Sequence, residues 1–441
     1  MASETDDPVY YVISDLHIGG DEQLEIVDFY DELLEFLESL EKRDGPLELI
    51  INGDAFGLWE FTGVRGPEKF DLLLESYPEL FEQLRRTGAV HRITLLPGNH
   101  DNELAAFDAF VDRFAEYNVE LVQQKSITRP IGERTIYFEH GHQRDPNNQF
   151  EDFGNPFERP LGYYYNTHVV SRAGHLSDRG RFNWLKDVQA VTPTERMPRW
   201  LISKYFYREM HPALRYAIVP FLLLFNISAI MAIVAGLDLI GVWSMPVDRT
   251  TALLRELGAA GTAIYYLLAV NIAISGLLLL VGIPLYLILQ DIKRTIERFG
   301  VFETDITVDH ERPYLSAARE VFDATPDVAI FCYGHTHRPA AQQLGDRLLI
   351  NSGTWLKRLY RREVIAGVLP PVFYPTYELC AVRIERKEDQ IAVEHLPIEK
   401  PSPKADELSL TERFLTLGRE PDPSLPDPVT IPENAGENEL S

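Results

Sequence analysis

Five short motifs in this chain stand in the same kind of place, directly after an apolar run too short to be a core helix. Asp15-Leu16-His17 follows Val9–Ser14, Gly53-Asp54 follows Leu47–Asn52, and Gly98-Asn99-His100-Asp101 follows Arg92–Leu96. His140-Gly141-His142 follows Thr135–Glu139, and Gly334-His335-Thr336-His337 follows Val328–Tyr333. Between the first runs the apolar residues fall at helical spacing: Ile26, Tyr30, Leu33, Leu37 and Leu40, then Phe70–Arg86 (crossed by Pro78), then Leu104–Ala115. The alternation resumes with a helix near Tyr314–Phe322 and strands at Leu348–Asn351, Tyr377–Ile384 and Ile391–Leu396. Strands alternating with helices predict a layered α/β domain around a central sheet. Open α/β sheets place their ligand sites beyond the carboxyl ends of the strands, where all five motifs lie. One such motif arises by chance; five in series converge on one site.

The residue types name the chemistry. Asp, Asn and His supply hard oxygen and borderline nitrogen donors, which suit Mn²⁺, Fe²⁺ or Zn²⁺ better than Ca²⁺. Two such ions about 3.5–4 Å apart grip a phosphoryl group and activate water against it. A pair needs a bridging carboxylate, and Asp54, alone at a tight glycine turn, is the natural one. Glycines 53, 98, 141 and 334 let the backbone turn sharply beside the ions. His142 is a second candidate near His140, with a role close to substrate.

In this order the motifs resemble those of the calcineurin-like metallophosphoesterase superfamily, over roughly residues 9–142 and 310–396. The resemblance implies a calcineurin-like β-sandwich flanked by helices. It implies Asp15, His17, Asp54 and His337 on one divalent ion, and Asp54, Asn99, His140 and His335 on the other. His100 would assist the leaving oxygen, oriented by Asp101. Asn351-Ser352-Gly353-Thr354-Trp355 resembles the segment that closes such domains. Gly53 to Trp59 and His140-Gly141 are similar to the UDP-2,3-diacylglucosamine diphosphatases, which cleave a pyrophosphate at a membrane surface. That group usually carries an acidic residue where Gly57 stands and an Arg where His100 stands, and it lacks the insertion described next.

Two long uncharged segments interrupt the domain. Tyr216–Leu237 runs 22 residues and Ala263–Gln290 runs 28 without a charge. A bilayer core needs about 20 apolar residues in a helix, so each can span, and the pair predicts a transmembrane α-helical hairpin. Arg196, Arg199, Lys204, Arg208 and Arg215 precede it, Lys293, Arg294 and Arg298 follow it, and the loop offers only Arg249 and Arg255. That bias puts both flanks, the catalytic domain and both termini in the cytoplasm. The cationic, aromatic stretch Arg199–Tyr216 reads as an interfacial helix, with Trp200, Tyr205 and Phe206 at the headgroups.

The expected segments are a disordered N-terminus over 1–8 and the first part of the metallophosphoesterase domain over 9–145. An insertion follows over 146–309, with spans at about 216–238 and 263–290. The second part of the domain covers 310–396, and an acidic, Pro-rich, largely disordered tail covers 397–441.

Charge narrows the substrate. Forty-two basic residues face 67 acidic ones, a net charge of −25, so an extended nucleic-acid partner is excluded on electrostatic grounds. Cys332 and Cys380 sit in apolar runs and form neither a disulfide framework nor a zinc motif. The reading is a hydrolase of phosphoester or pyrophosphate bonds, acting at the lipid bilayer on a phosphorylated, amphiphilic or membrane-proximal substrate. A tethered phosphodiesterase for a soluble nucleotide and a non-catalytic metal-binding scaffold are the alternatives. The scaffold is disfavoured because Asp54, Asn99 and His335 are all retained.

Overall fold

The computed structural model describes residues 7–19, 27–61, 63–172, 196–215, 254–298, 311–364, 369–401, 407–417 and 424–433, with isolated positions between them. The chain divides into two compact units. The first comprises Met1–Lys204, His310–Arg362 and Val372–Ser441; the second comprises Tyr205–Asp309 and Glu363–Pro371.

The first unit holds a mixed α/β fold built on two main sheets. In the larger, β1 (Val9–Ile13), β2 (Leu47–Asn52), β3 (Arg92–Leu96) and the short β4 (Glu120–Leu121) run parallel. On the other side of β1 the sheet continues antiparallel through β12 (Cys380–Lys387), β13 (Gln390–Pro397) and the edge strand β14 (Val429–Pro432). The second sheet has the order β5-β6-β7-β9-β8, from Ser126–Ile131, Arg134–Glu139, Val328–Tyr333, Arg347–Asn351 and Ala340–Leu344 respectively. A two-stranded ribbon, β10 (Arg358–Arg362) and β11 (Val372–Thr376), stands apart.

Side-chain alternation along each strand assigns the layers. Tyr10, Val12 and Ile50 of the first sheet pack with Ile136, Phe138, Ile330 and Ile350 of the second, so the sheets share one buried core. The opposite face of the first sheet, with Tyr11, Ile13, Leu49 and Leu95, is covered by α1 (Tyr30–Glu41), α2 (Glu68–Ser76), α3 (Pro78–Val90) and α4 (Asp108–Ala115). The outer face of the second sheet packs on Tyr314, Ala318 and Phe322. Buried on both faces, strands such as β2 and β7 read as continuous apolar runs, as parallel strands must. Beyond β6 the chain forms α5 (Leu161–Tyr165), which widens into a π-helical turn at Asn166–Val170, and then α6 (Met197–Lys204).

In the second unit a π-helical turn, Tyr205–Glu209, is followed by α7 (Gly258–Arg298), 41 residues long with Pro284 inside it. Its segment Gly258–Ile288, with mean hydropathy 2.3, is long and apolar enough to cross a membrane. The other expected span, 216–237, lies outside the described residues apart from Ile233 and Leu237. The return to the first unit begins with α8 (Arg312–Ala324).

Several expectations change. The helix expected over Phe70–Arg86 is two helices, because proline fits the first turn of α3 but would break a continuous helix. Of the segment expected as an insertion, 146–309, residues up to Lys204 fall in the first unit. Trp200 does not reach a headgroup layer: it is fully buried, packed with Val170, Met197, Leu359 and Phe373. Phe206 is buried as well, and only Tyr205 of the three is exposed. Nor is the tail from 397 as loose as expected. Ser409 and Glu412 form a reciprocal capping box on α9 (Leu410–Leu415), and β14 pairs antiparallel with β13.

Candidate metal centre

The five motifs meet at the carboxyl ends of β1, β2, β3, β6 and β7. Asp15 ends β1 and is fully buried; one carboxylate oxygen accepts the Ser14 hydroxyl (2.5 Å) and the His335 amide (3.0 Å). The other lies 3.2 Å from His337 Nε2, which is in turn 3.2 Å from His17 Nε2. Asp54 Oδ2 lies 3.1 Å from His140 Nε2 and 3.8 Å from His17 Nε2, and its Oδ1 accepts the His100 amide at 2.8 Å. Three sets thus offer ligand atoms within 4.8 Å of one another: Asp15, His17 and His337; Asp54, His140 and His335; and His17, Asp54 and His100.

The backbone is bent to bring them there. Asp15, His17, Asp54, His335 and His337 all have left-handed φ, between 46° and 65°. Among the described residues only three other non-glycine positions do so, and such strain concentrates where function requires it. Glycine makes the close approach feasible. A Cβ on Gly53 would strike the His140 ring, and one on Gly98 the Asp54 carboxylate.

The donor set fits divalent cations. Asn99 is buried, and its carbonyl oxygen has no hydrogen-bond partner. Asp15 Oδ1 and His140 Nε2 likewise make no well-formed hydrogen bond, despite neighbours at 3.2 and 3.1 Å. Burial opposes charge on Asp54, but His140, His100 and His17 outweigh it and hold the carboxyl well below its usual range. Burial likewise opposes charge on His140, yet Asp54 and Asp15 raise its pKa to about 10. Burial and the neighbouring His100 depress His17 to about 3.

Three of the histidines are braced through a ring nitrogen. His140 Nδ1 contacts the Asn52 carbonyl (2.9 Å), and His335 Nε2 contacts Asp145 (3.1 Å). His100 Nδ1 is 2.9 Å from Glu60 Oε1, and the ring packs against Trp59 at 4.5 Å, tilted by 32°. Asp101, expected to orient His100, does something else. Its two oxygens accept the Gly98 and Phe56 amides (2.6 and 3.1 Å), which braces the loop; burial beside Asp54 raises it to about 7. His142 is fully buried against Phe150 and Phe153, and both its ring nitrogens lack hydrogen-bond partners; it joins none of the three sets.

Glu60, Asp145 and Asn52 were not foreseen. Glu60 stands six residues beyond Asp54 and Asp145 three beyond His142, so a search for carboxylates just downstream of each motif would have found both.

Two sheets sharing a core, with carboxylate, amide and imidazole donors clustered at their strand ends, define a metallophosphoesterase, a hydrolase. The family model for calcineurin-like phosphoesterase matches residues 9–217. No curated protein matches the sequence. Among solved structures, wild-type Vps29 complexed with zinc from Entamoeba histolytica is 11% identical, covering 89% of this chain and 94% of that one, with a TM-score of 0.27. A predicted phosphoesterase from Streptococcus pneumoniae TIGR4 is 12% identical, covering 90% and 92%, with a TM-score of 0.26. A putative 5'-nucleotidase from Staphylococcus aureus, in complex with alpha-ketoglutarate, is 13% identical, covering 93% and 57%, with a TM-score of 0.27.

Proposed function

We propose that the centre takes two divalent ions, Mn²⁺ first among Mn²⁺, Fe²⁺ and Zn²⁺, with Asp54 between them. Asp15, His17 and His337 complete one site; Asn99, His140 and His335 complete the other. The observation that carries this reading is the position of Asp54, within 3.8 Å of a histidine from each set. When bound, such ions supply Lewis-acid polarisation of a phosphoryl oxygen and lower the pKa of the attacking water. The protein's own part is to orient and to move one proton. His100 gives its ring proton to the leaving oxygen as the phosphorus–oxygen bond breaks, and Asp101 keeps the loop that carries it in shape.

The membrane reading rests on α7. Leu277, Leu280, Val281, Leu285 and Ile288 are exposed along it, while Asn271 and Ser275, one turn apart, form a small, polar, buried seam. A core helix of a soluble protein would bury its leucines. An apolar surface with one small, polar seam suits a helix in lipid packed against another. The protein would then be a two-span cytoplasmic-membrane enzyme with its catalytic domain inside.

Exposed apolar side chains of the first unit support an amphiphilic, lipid-linked substrate. Phe157 (88% exposed), Leu161, Tyr164 and Val169 present apolar surface on the segment that also brings Asn166 to Glu60, beside His100. A panel of nucleotide–lipid pyrophosphates, phosphodiesters and monoesters, assayed on detergent-solubilised protein with Mn²⁺, tests this. Preference for the lipid-linked pyrophosphate supports it; equal rates on a soluble nucleotide diester would favour the tethered phosphodiesterase.

A further inference from the structure

The 3-10 turn Leu58–Glu60 carries a carboxylate that the metal sets do not use. Glu60 is 1% exposed, and among the described residues no Lys or Arg pairs with it. Its Oε1 contacts His100 Nδ1 at 2.9 Å and accepts the Asn166 side-chain amide at 2.8 Å. Burying an ion this way is expensive unless its few partners are well placed. Room for it is left by Gly57, where a Cβ would come within 2.9 Å of Glu60 Oε2.

The rest of the housing comes from two separate segments. Trp59 lies tilted against the His100 ring at 4.5 Å, Tyr163 meets Trp59 edge-on at 5.6 Å, and His17 meets His100 edge-on at 4.4 Å. Asn166 is itself buried and opens the π-helical turn after α5; such widened turns recur at functional positions. His100 is therefore fixed in plane by aromatic rings and in rotation by Glu60, while Glu60 is fixed by Asn166.

We propose that Glu60 and Asn166 are positioning residues for phosphoester cleavage: Glu60 holds Nδ1 of His100 so that the other ring nitrogen faces the leaving oxygen, and Asn166 locks Glu60. This rests on the reading of His100 as the proton donor. Segment 161–170, well beyond the last of the first four motifs, is thereby part of the active site.

The test uses the full-length protein with Mn²⁺ and two substrates, an alkyl phosphodiester and a p-nitrophenyl one, because only the alkyl leaving group needs a proton. Glu60→Gln should lower kcat about 10–100-fold on the alkyl ester and less than about threefold on the p-nitrophenyl ester, with KM and metal content unchanged. In a His100→Ala background it should add nothing, since residues acting as a unit are not additive. Asn166→Ala should give a smaller loss with the same substrate dependence, and it serves should Glu60→Gln fail to fold. Losses that multiply with His100→Ala, or that are equal on both substrates, overturn the proposal. So does wild-type kcat in Glu60→Gln while His100→Ala is impaired. Wild-type kcat in His100→Ala would instead overturn the proton-donor reading, and the proposal with it.

Discussion

His335 turns its Nε2 to Asp145 Oδ2, 3.1 Å away, whereas His140 turns its Nδ1 to the Asn52 carbonyl. The two rings proposed for one ion are thus held by different nitrogens. Asp145 is itself fixed by the Asn147 amide and the Asn148 side chain. Burial alone would raise its pKa, yet these donors and His335 hold it at about 2. Outer partners of this kind set ligand orientation and basicity. Asp145→Asn should therefore weaken one of two metal-binding events by about 10–100-fold and leave the other intact, as read by calorimetric Mn²⁺ titration. Equal weakening of both, or of neither, would count against it.

Asp54→Asn is a clean probe of the shared carboxylate. Asn tolerates left-handed backbone, so the turn at φ 52° should persist while the charge is lost. Metal content and turnover should collapse together, turnover by at least about 10²–10³-fold. Retention of two ions per chain in this variant would remove Asp54 from its bridging place.

His395 gives a stability prediction free of the metals. It is buried on β13, and its Nε2 contacts the Asn351 carbonyl at 2.8 Å; burial depresses its pKa, with Asn351 opposing only in part. The unfolded chain then takes up a proton, below the ordinary value of 6.5, that the folded chain refuses. This contribution to stability is present above that pH and is lost as pH falls, by up to about 1.4 kcal/mol per pH unit. His395→Gln should flatten the pH dependence of the denaturation midpoint as pH falls below about 6.5. An unchanged slope would show that another group sets it.

Topology can be read in intact cells. A cysteine in place of Ser244 should react with an impermeant maleimide, and one in place of Lys404 only after permeabilisation. Equal labelling at both positions would reject the two-span arrangement.

Much of this architecture was legible in the sequence for a simple reason. β2, β3 and β7 are buried on both faces, so burial leaves them as unbroken apolar runs, and their ends mark the ligand loops. Edge and half-exposed strands leave no such trace. β5 carries Pro130, which an edge position tolerates, and β8 reads Ala-Ala-Gln-Gln-Leu with no apolar alternation. β14 is four residues whose structure is supplied by β13. In the site, adjacency misled: Asp101 follows His100 in the chain but turns to backbone amides, while the true partner, Glu60, comes from another loop. Trp200 misled differently. An aromatic among cations looks interfacial until β11 supplies Phe373 to bury it.

β6 and β7 lie side by side and parallel, yet α5 to α8, with the second unit's α7 among them, are synthesised between them. At ribosomal rates of about 5–20 residues per second, β6 waits on the order of ten seconds or more for its neighbour. β1 waits longer still for β12. Throughout that interval the nascent chain has an open sheet edge, and four of its five ligand loops are already made. If α7 enters the bilayer as it emerges, the metal centre is completed only after that insertion, when the loop carrying His335 and His337 has been made.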